Sequence, residues 1–222
     1  EFSHVLASAF VRVAGAKASQ QGWLRPSTDG APRYKSERTS YGFHYVAIRR
    51  PIQNASTHDY MRRTVYIAPF TSLIPPNNVH NVTTVLAPRD DVSTYFYFIA
   101  WNGPDKPGIT TEEWRKFNRA QVGIDVDHEY RNLRNRGNHY QQDRNAMKLG
   151  NFTGIKGIPN QDIAMWESMG AISDRTRERV GASDFAVIEF RRLMVEAARR
   201  MRDEGVAIGT TEPHIPHVKI SS

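Results

Sequence analysis

Val92-Ser93-Thr94-Tyr95-Phe96-Tyr97-Phe98-Ile99-Ala100-Trp101 is the pivot of this chain of 222 residues. It holds the longest strongly apolar run in the sequence, from Tyr95 to Trp101, far short of the ~20 residues a membrane-spanning helix needs. Its aromatic content and the Asp90-Asp91 turn before it read as a strand. Upstream lie further runs of that kind: Arg33–Arg38, Gly42–Arg50, Asp59–Ala68, Phe70–Ile74 and His80–Ala87. In the second, Phe43, Tyr45 and Ala47 share one face and His44, Val46 and Ile48 the other. Pro75-Pro76 and Asn77-Asn78 punctuate the series. Strands at intervals of about ten residues, joined by turn chemistry, predict an antiparallel meander. Residues 1–32 read as irregular.

After Trp101 the period changes. Thr110–Gln121 opens with Thr110 and Glu113 at capping-box spacing. Gln141–Leu149 and Pro159–Met169 are further helix candidates. The last helix is the clearest, with Ala186, Phe190, Leu193, Met194, Ala197 and Met201 on one stripe. Ser183 is suited to cap its start and Gly205 to end it. Arg191, Arg192, Arg199, Arg200 and Arg202 line the other side and read as a solvated face. A sheet run followed by a helical run predicts an α+β fold. Its expected form is a curved antiparallel sheet packed on a long C-terminal helix, the helix-grip type, with a ligand cavity between them.

Composition narrows the chemistry. There is no cysteine, so no disulfide, thiolate metal site or cysteine nucleophile lies within these residues. Metal ligands, if any, must be His, Asp or Glu. The net charge is +7, and the excess lies in the first fifty residues. No Lys/Arg block exceeds two residues, and no nucleic-acid motif is present. Arg far outnumbers Lys. Arg is the better bidentate partner for carboxylates, so an acidic small molecule is as compatible with this chain as a polyanion.

His214-Ile215-Pro216-His217 has a metal-like spacing but lies between prolines near the chain end and reads as a loop. Asp125-Val126-Asp127-His128 could form a cation loop, yet no third ligand follows at regular spacing, and a polar turn is the simpler reading. Asp162 lies at the start of the Pro159–Met169 candidate, where an Asp usually caps or serves the helix dipole.

Asn160-Gln161-Asp162-Ile163-Ala164-Met165-Trp166, Gly150-Asn151-Phe152-Thr153-Gly154-Ile155 and the stretch Asp174–Asp184 resemble the oxygenase component of phthalate-type Rieske non-haem iron oxygenases. So do Gly15-Ala16-Lys17-Ala18, Arg25-Pro26-Ser27-Thr28-Asp29, Tyr41-Gly42-Phe43 and Leu73-Ile74-Pro75-Pro76-Asn77-Asn78. The likeness runs in order along almost the whole chain. It implies a helix-grip catalytic domain with a mononuclear Fe(II) held by two His and one carboxylate, the facial triad that leaves positions open for O₂. The carboxylate falls on Asp162 and the second His on His4. The first His and the Asp that passes electrons between subunits would precede Glu1. So would the Rieske domain and its [2Fe–2S] cluster. The expectation is therefore that 1–222 is one catalytic domain, incomplete at the N-terminus, and inactive alone.

In the parent chain the resemblance implies electrons from NAD(P)H through a separate flavin/iron–sulfur reductase. It also implies O₂ and an aromatic carboxylate such as phthalate as substrates, a trimer or stacked trimers, and a cytoplasmic location without membrane or nucleic-acid partners. A dicarboxylate calls for a guanidinium in the pocket. Of the neighbours Arg49 and Arg50, alternation lets one point inward. Similarity favours Arg49, with a substrate or a structural carboxylate as its counter-charge. Asn78 is a candidate pocket residue, although turn formation also explains it. The alternative is a metal-free helix-grip protein that binds a hydrophobic ligand, since a fold does not set a function.

Overall fold

The structure, a computed structural model, describes residues 27, 29–75 and 80–209. Six strands form one sheet in chain order: β1 (Arg33–Thr39), β2 (Gly42–Arg49), β3 (Tyr60–Ile67), β4 (Thr71–Ile74), β5 (Asn81–Pro88) and β6 (Thr94–Trp101). The ladders from β1 to β5 are antiparallel. Phe43 stands opposite Tyr66, and His44 opposite Val65. Register is held at the β1–β2 turn, where a Cβ on Gly42 would strike the Tyr66 carbonyl. Only glycine permits that approach.

Among the described residues four α-helices follow: α1 (Thr111–Asn118), α2 (Arg144–Lys148), α3 (Ile158–Ser168) and α4 (Phe185–Glu204). The expected α+β class is the observed one. The Thr110 capping box is formed, with the Thr110 hydroxyl accepting from the Glu113 N–H at 3.3 Å and the Glu113 carboxylate from the Thr110 N–H at 3.0 Å. Helix α1 stops at Asn118 rather than Gln121, because Arg119 adopts the left-handed conformation and closes it. Asp143 caps α2, accepting from the Asn145 and Ala146 N–H groups at 2.9 Å, so that helix starts three residues later than its apolar pattern suggests. Ser183 is not the cap of α4. It lies in a short 3-10 turn (Ala182–Asp184), and Asp184 occupies the cap position. Gly205 ends α4 in the left-handed conformation as expected.

The chain contacts divide into two compact units. One holds β1 to β5, most of β6, and α4. Its core is Phe43, Tyr66 and Ala68, with Tyr45, Ala186, Leu193 and Ile208 packed around them. Phe43 and Tyr66 lie on the same sheet face because they are register partners. The Phe190 ring meets Tyr66 edge-on at 5.3 Å, a geometry favoured by the ring quadrupoles. The Tyr66 hydroxyl donates to the Pro69 carbonyl at 2.5 Å, and burial pushes its pKa up to about 12. At the rim, Arg38 of β1 binds Glu189 and, at 2.7 Å, Glu196 of α4. The apolar stripe of α4 meets the sheet through Ala186, Phe190, Leu193 and Met194, whereas Met201 is half exposed.

The second unit holds α1 to α3 and their loops, from residue 100 to 177, with His80. Among the described residues no helix is long and apolar enough to cross a membrane.

Two outcomes follow from the first unit. Tyr66→Ala should cost about 3–5 kcal/mol in denaturant unfolding, and Tyr66→Phe far less. On β2, His44 Nε2 lies 2.6 Å from the Tyr41 hydroxyl. Burial, aided by Arg63, holds the His44 pKa below its ordinary value. The unfolded chain therefore binds the proton more readily. Stability contributed by neutral His44 is full above about pH 6.5 and falls as pH drops through that value towards the folded pKa. Denaturation midpoints between pH 7.5 and 5 should fall more steeply for the wild type than for His44→Gln, and parallel curves would refute the assignment.

Candidate functional site

Helix α3 carries Asp162, the carboxylate that the resemblance singles out. It begins at Ile158, one residue before Pro159, because Gly157 takes a positive φ of 85° and turns the chain into the helix. No side chain caps this start. Asp162 is thus the fifth helical residue, past the N–H groups that a cap would serve, so the capping role is excluded. Its side chain is partly buried, and burial pushes its pKa up to about 6. A carboxylate disfavoured as a bare anion in this way gains most from a nearby cation.

The first turn of α3 is held instead by Asn160, 5% exposed. Its Nδ2 donates to the carbonyls of Arg119 and Lys156, each at 3.0 Å, and more weakly to that of Asn118 at 3.4 Å. Its Oδ1 accepts from Asn132 Nδ2 at 2.9 Å. Asn132 Oδ1 in turn accepts from the Arg134 N–H at 2.8 Å. Gly157 lets α3 approach α1 closely, since a Cβ there would sit 2.5 Å from the Asn118 carbonyl oxygen.

Behind this junction lies the loop that sequence alone left open as a cation site. Asp125 is buried and paired with the buried Arg134 at 2.8 Å, and it also accepts from the Gln121 N–H at 3.2 Å. Asp127 accepts from the Glu129 and Arg131 N–H groups at 2.8 Å. Both carboxylates are committed to the loop, which is the polar turn of the simpler reading. Among the described residues no group of three or more His, Asp or Glu is poised to hold a metal.

The chain matches the family described as LigXa C-terminal domain like over residues 2–222. It belongs to that family. This LigXa C-terminal-domain-like chain is 61% identical to the phthalate 4,5-dioxygenase oxygenase subunit of Pseudomonas putida over 205 residues, 92% of its own length and 46% of the relative's. It is 27% identical to the 3-chlorobenzoate-3,4-dioxygenase oxygenase subunit of Comamonas testosteroni over 198 residues, 82% of its own length and 44% of the relative's. The chain spans about half the length of the curated relatives it matches. Both relatives bear the names of aromatic-ring dioxygenase subunits, in keeping with the resemblance.

The site residues expected from sequence have different fates. His4 and Asn78 lie outside the described residues, as do His214 and His217. Arg49, at the end of β2, is 1% exposed, and its neighbour Arg50 is exposed. Arg49 Nε donates to the Asp29 carbonyl at 3.1 Å. The Asp29 carboxylate accepts from the Ala31 N–H at 2.9 Å and the Arg50 N–H at 3.2 Å. Those bonds hold its pKa below the ordinary carboxylate value, with Arg49 and Arg50 adding to the effect. The Ser27 hydroxyl donates to the Arg50 carbonyl at 2.5 Å. Thus Ser27 and Asp29, from one of the resembling motifs, tie down the strand end that carries Arg49.

Sequence reading missed Asn160, Asn132 and the Asp125–Arg134 pair. The available signal was Gly157-Ile158-Pro159, which marks where α3 starts. Removal of one partner of the buried pair is the more damaging change, because it strands a charge. Asp125→Ala should therefore cost roughly 3–5 kcal/mol, and the double change Asp125→Ala/Arg134→Met should recover part of it. Additive losses in urea unfolding would contradict the pairing.

Proposed function

We propose that this chain is the catalytic-domain portion of an aromatic-ring-hydroxylating oxygenase of the phthalate type. The observation that carries the reading is the 61% identity to a phthalate 4,5-dioxygenase oxygenase subunit along nearly the whole chain. In this reading residues 1–222 are the greater part of a mononuclear-iron domain. The relatives' remaining half would bring the first iron-binding His, the electron-bridging Asp and the [2Fe–2S] Rieske cluster.

Asp162 and His4 are the residues of this chain that would hold Fe(II). The donor set fits a divalent iron: a hard carboxylate and a neutral imidazole. Asp162 also offers a partly buried carboxylate, whose charge a resident cation would offset. The iron, when bound, supplies O₂ activation, with electrons reaching it from NAD(P)H through a separate reductase.

The chain's own part is binding and orientation. The substrate class is an aromatic carboxylate, to be dihydroxylated or hydroxylated on the ring. Arg49 would contribute a desolvated guanidinium facing the substrate carboxylate, held in place through its Nε bond to the Asp29 carbonyl. Asn78 is the second residue proposed to take part in substrate binding. Association into trimers or stacked trimers completes the proposal, because electron transfer in this family crosses a subunit boundary.

Two variants of the full-length protein test the reading. Asp162→Ala should remove mononuclear iron while the Rieske electron-paramagnetic-resonance signal persists; retained iron and turnover would show that another carboxylate is the ligand. Arg49→Ala should raise the Kd of phthalate by about tenfold or more, the size of one charge-assisted contact, and hardly alter that of a neutral aromatic of similar shape. Equal losses for the two ligands would assign Arg49 to folding alone.

A further inference from the structure

We propose that Asn160 is a positioning residue, whose buried side-chain amide locks the first turn of α3 to the end of α1 and to Asn132 and thereby sets the direction in which Asp162 presents its carboxylate. The inference rests on the reading of Asp162 as an iron ligand.

The Asn160 amide is used on both sides. Its nitrogen faces three main-chain carbonyls, from Asn118, Arg119 and Lys156, and its oxygen faces the Asn132 amide nitrogen. The orientation is unambiguous, because turning the amide over would point an acceptor at three acceptors. Asn132 is fixed in its turn, since its oxygen accepts from the Arg134 N–H. A buried amide bonded through both its nitrogen and its oxygen specifies one arrangement and resists small displacements.

The first turn of α3 depends on this network because it lacks the usual alternative. Gly157 offers no side-chain cap. Gly157 also lies close to the Asn118 carbonyl, where a Cβ would come within 2.5 Å of the oxygen. Two of the three carbonyls that Asn160 holds belong to Asn118 and Arg119, 42 and 41 residues earlier in the chain. The amide therefore ties α3 to α1 across a long loop.

Helical geometry connects the amide to the carboxylate. Residues two apart are separated by about 200° around the axis and by about 3 Å along it. Asn160 and Ala164, one turn apart and both buried, form the anchored side of α3, and Asp162 leaves from the opposite side. Rotation or sliding of the helix after loss of the anchor transfers directly to the carboxylate. A metal ligand tolerates little of this, and changes to the residues that orient ligands typically cost 10–100-fold in metal affinity.

The test uses the full-length protein with its Rieske cluster as internal reference. Asn160→Ala, Asn160→Asp, Asn132→Ala, Asp162→Ala and Asp143→Ala are compared. Asp143→Ala removes the cap of α2 in the same unit, where the carboxylate bonds to the Asn145 and Ala146 N–H groups. Three quantities are read: Tm, apparent Fe(II) affinity, and the electron-paramagnetic-resonance spectrum of the ferrous site with nitric oxide as probe, which reports ligand geometry. Asn160→Ala should lower iron affinity by roughly 10–100-fold and shift the nitric oxide spectrum, with the Rieske signal unchanged. Asn160→Asp, although nearly isosteric, should be as damaging, because it points a carboxylate at three carbonyls. Asn132→Ala should change the same two readouts in the same direction by less, and it decides the matter if the Asn160 variants do not fold. Asp143→Ala should lower Tm alone. Positions 160 and 132 behaving like 143, with reduced Tm but native affinity and spectrum, would overturn the inference. Retention of iron by Asp162→Ala would instead overturn the ligand assignment beneath it.

Discussion

A side-chain amide buried among main-chain carbonyls is the interaction on which the 100–177 unit depends. Asn160 joins α3 to the end of α1, and it does so at a helix start whose N-cap, Gly157, has no side chain to offer. A network of this type is costly to leave half made, because each stranded polar group retains its desolvation penalty. That cost makes the junction specific. It also explains why a loop as polar as Gln121–Arg134 has a definite path, with Asn132 and the Asp125–Arg134 pair drawn into the same interior.

The other unit is stabilised differently. Its interior is aromatic, and its specificity comes from register rather than from polar networks. Gly42 permits the tight β1–β2 turn, the register brings Phe43 beside Tyr66, and Phe190 of α4 closes on the tyrosine ring. The paired Arg38 at the rim is half exposed, and exposed ion pairs add little stability. The weight therefore falls on the rings.

The strands were legible in the sequence because their limits are set by local chemistry: proline, Asn-Asn and Asp-Asp turns, and alternation in Gly42–Arg49. The same alternation separates buried Arg49 from exposed Arg50. The long helix was legible from its stripe and its terminal glycine. Its start was not, because Ser183 and Asp184 are both good caps and only the 3-10 turn before Phe185 selects the second. His139, Tyr140 and Gln141 each take positive φ, which no local pattern announces in residues with a Cβ. Least legible was Asn160. Its partners lie up to 42 residues away, and an asparagine near a helix start reads as a cap until its carbonyl partners are located. Asp162 could be singled out by resemblance alone; its partial burial and raised pKa come from packing.

In the proposed reading, a family-wide likeness converges on one carboxylate, that of Asp162, bonded to iron in the complete protein. Diffraction from crystals of the full-length chain, collected on either side of the iron absorption edge, tests this most directly. An anomalous peak, separate from the Rieske cluster, is expected within bonding distance of an Asp162 oxygen and of a His4 ring nitrogen. A mononuclear iron peak bonded to other side chains, with Asp162 out of reach, would contradict it.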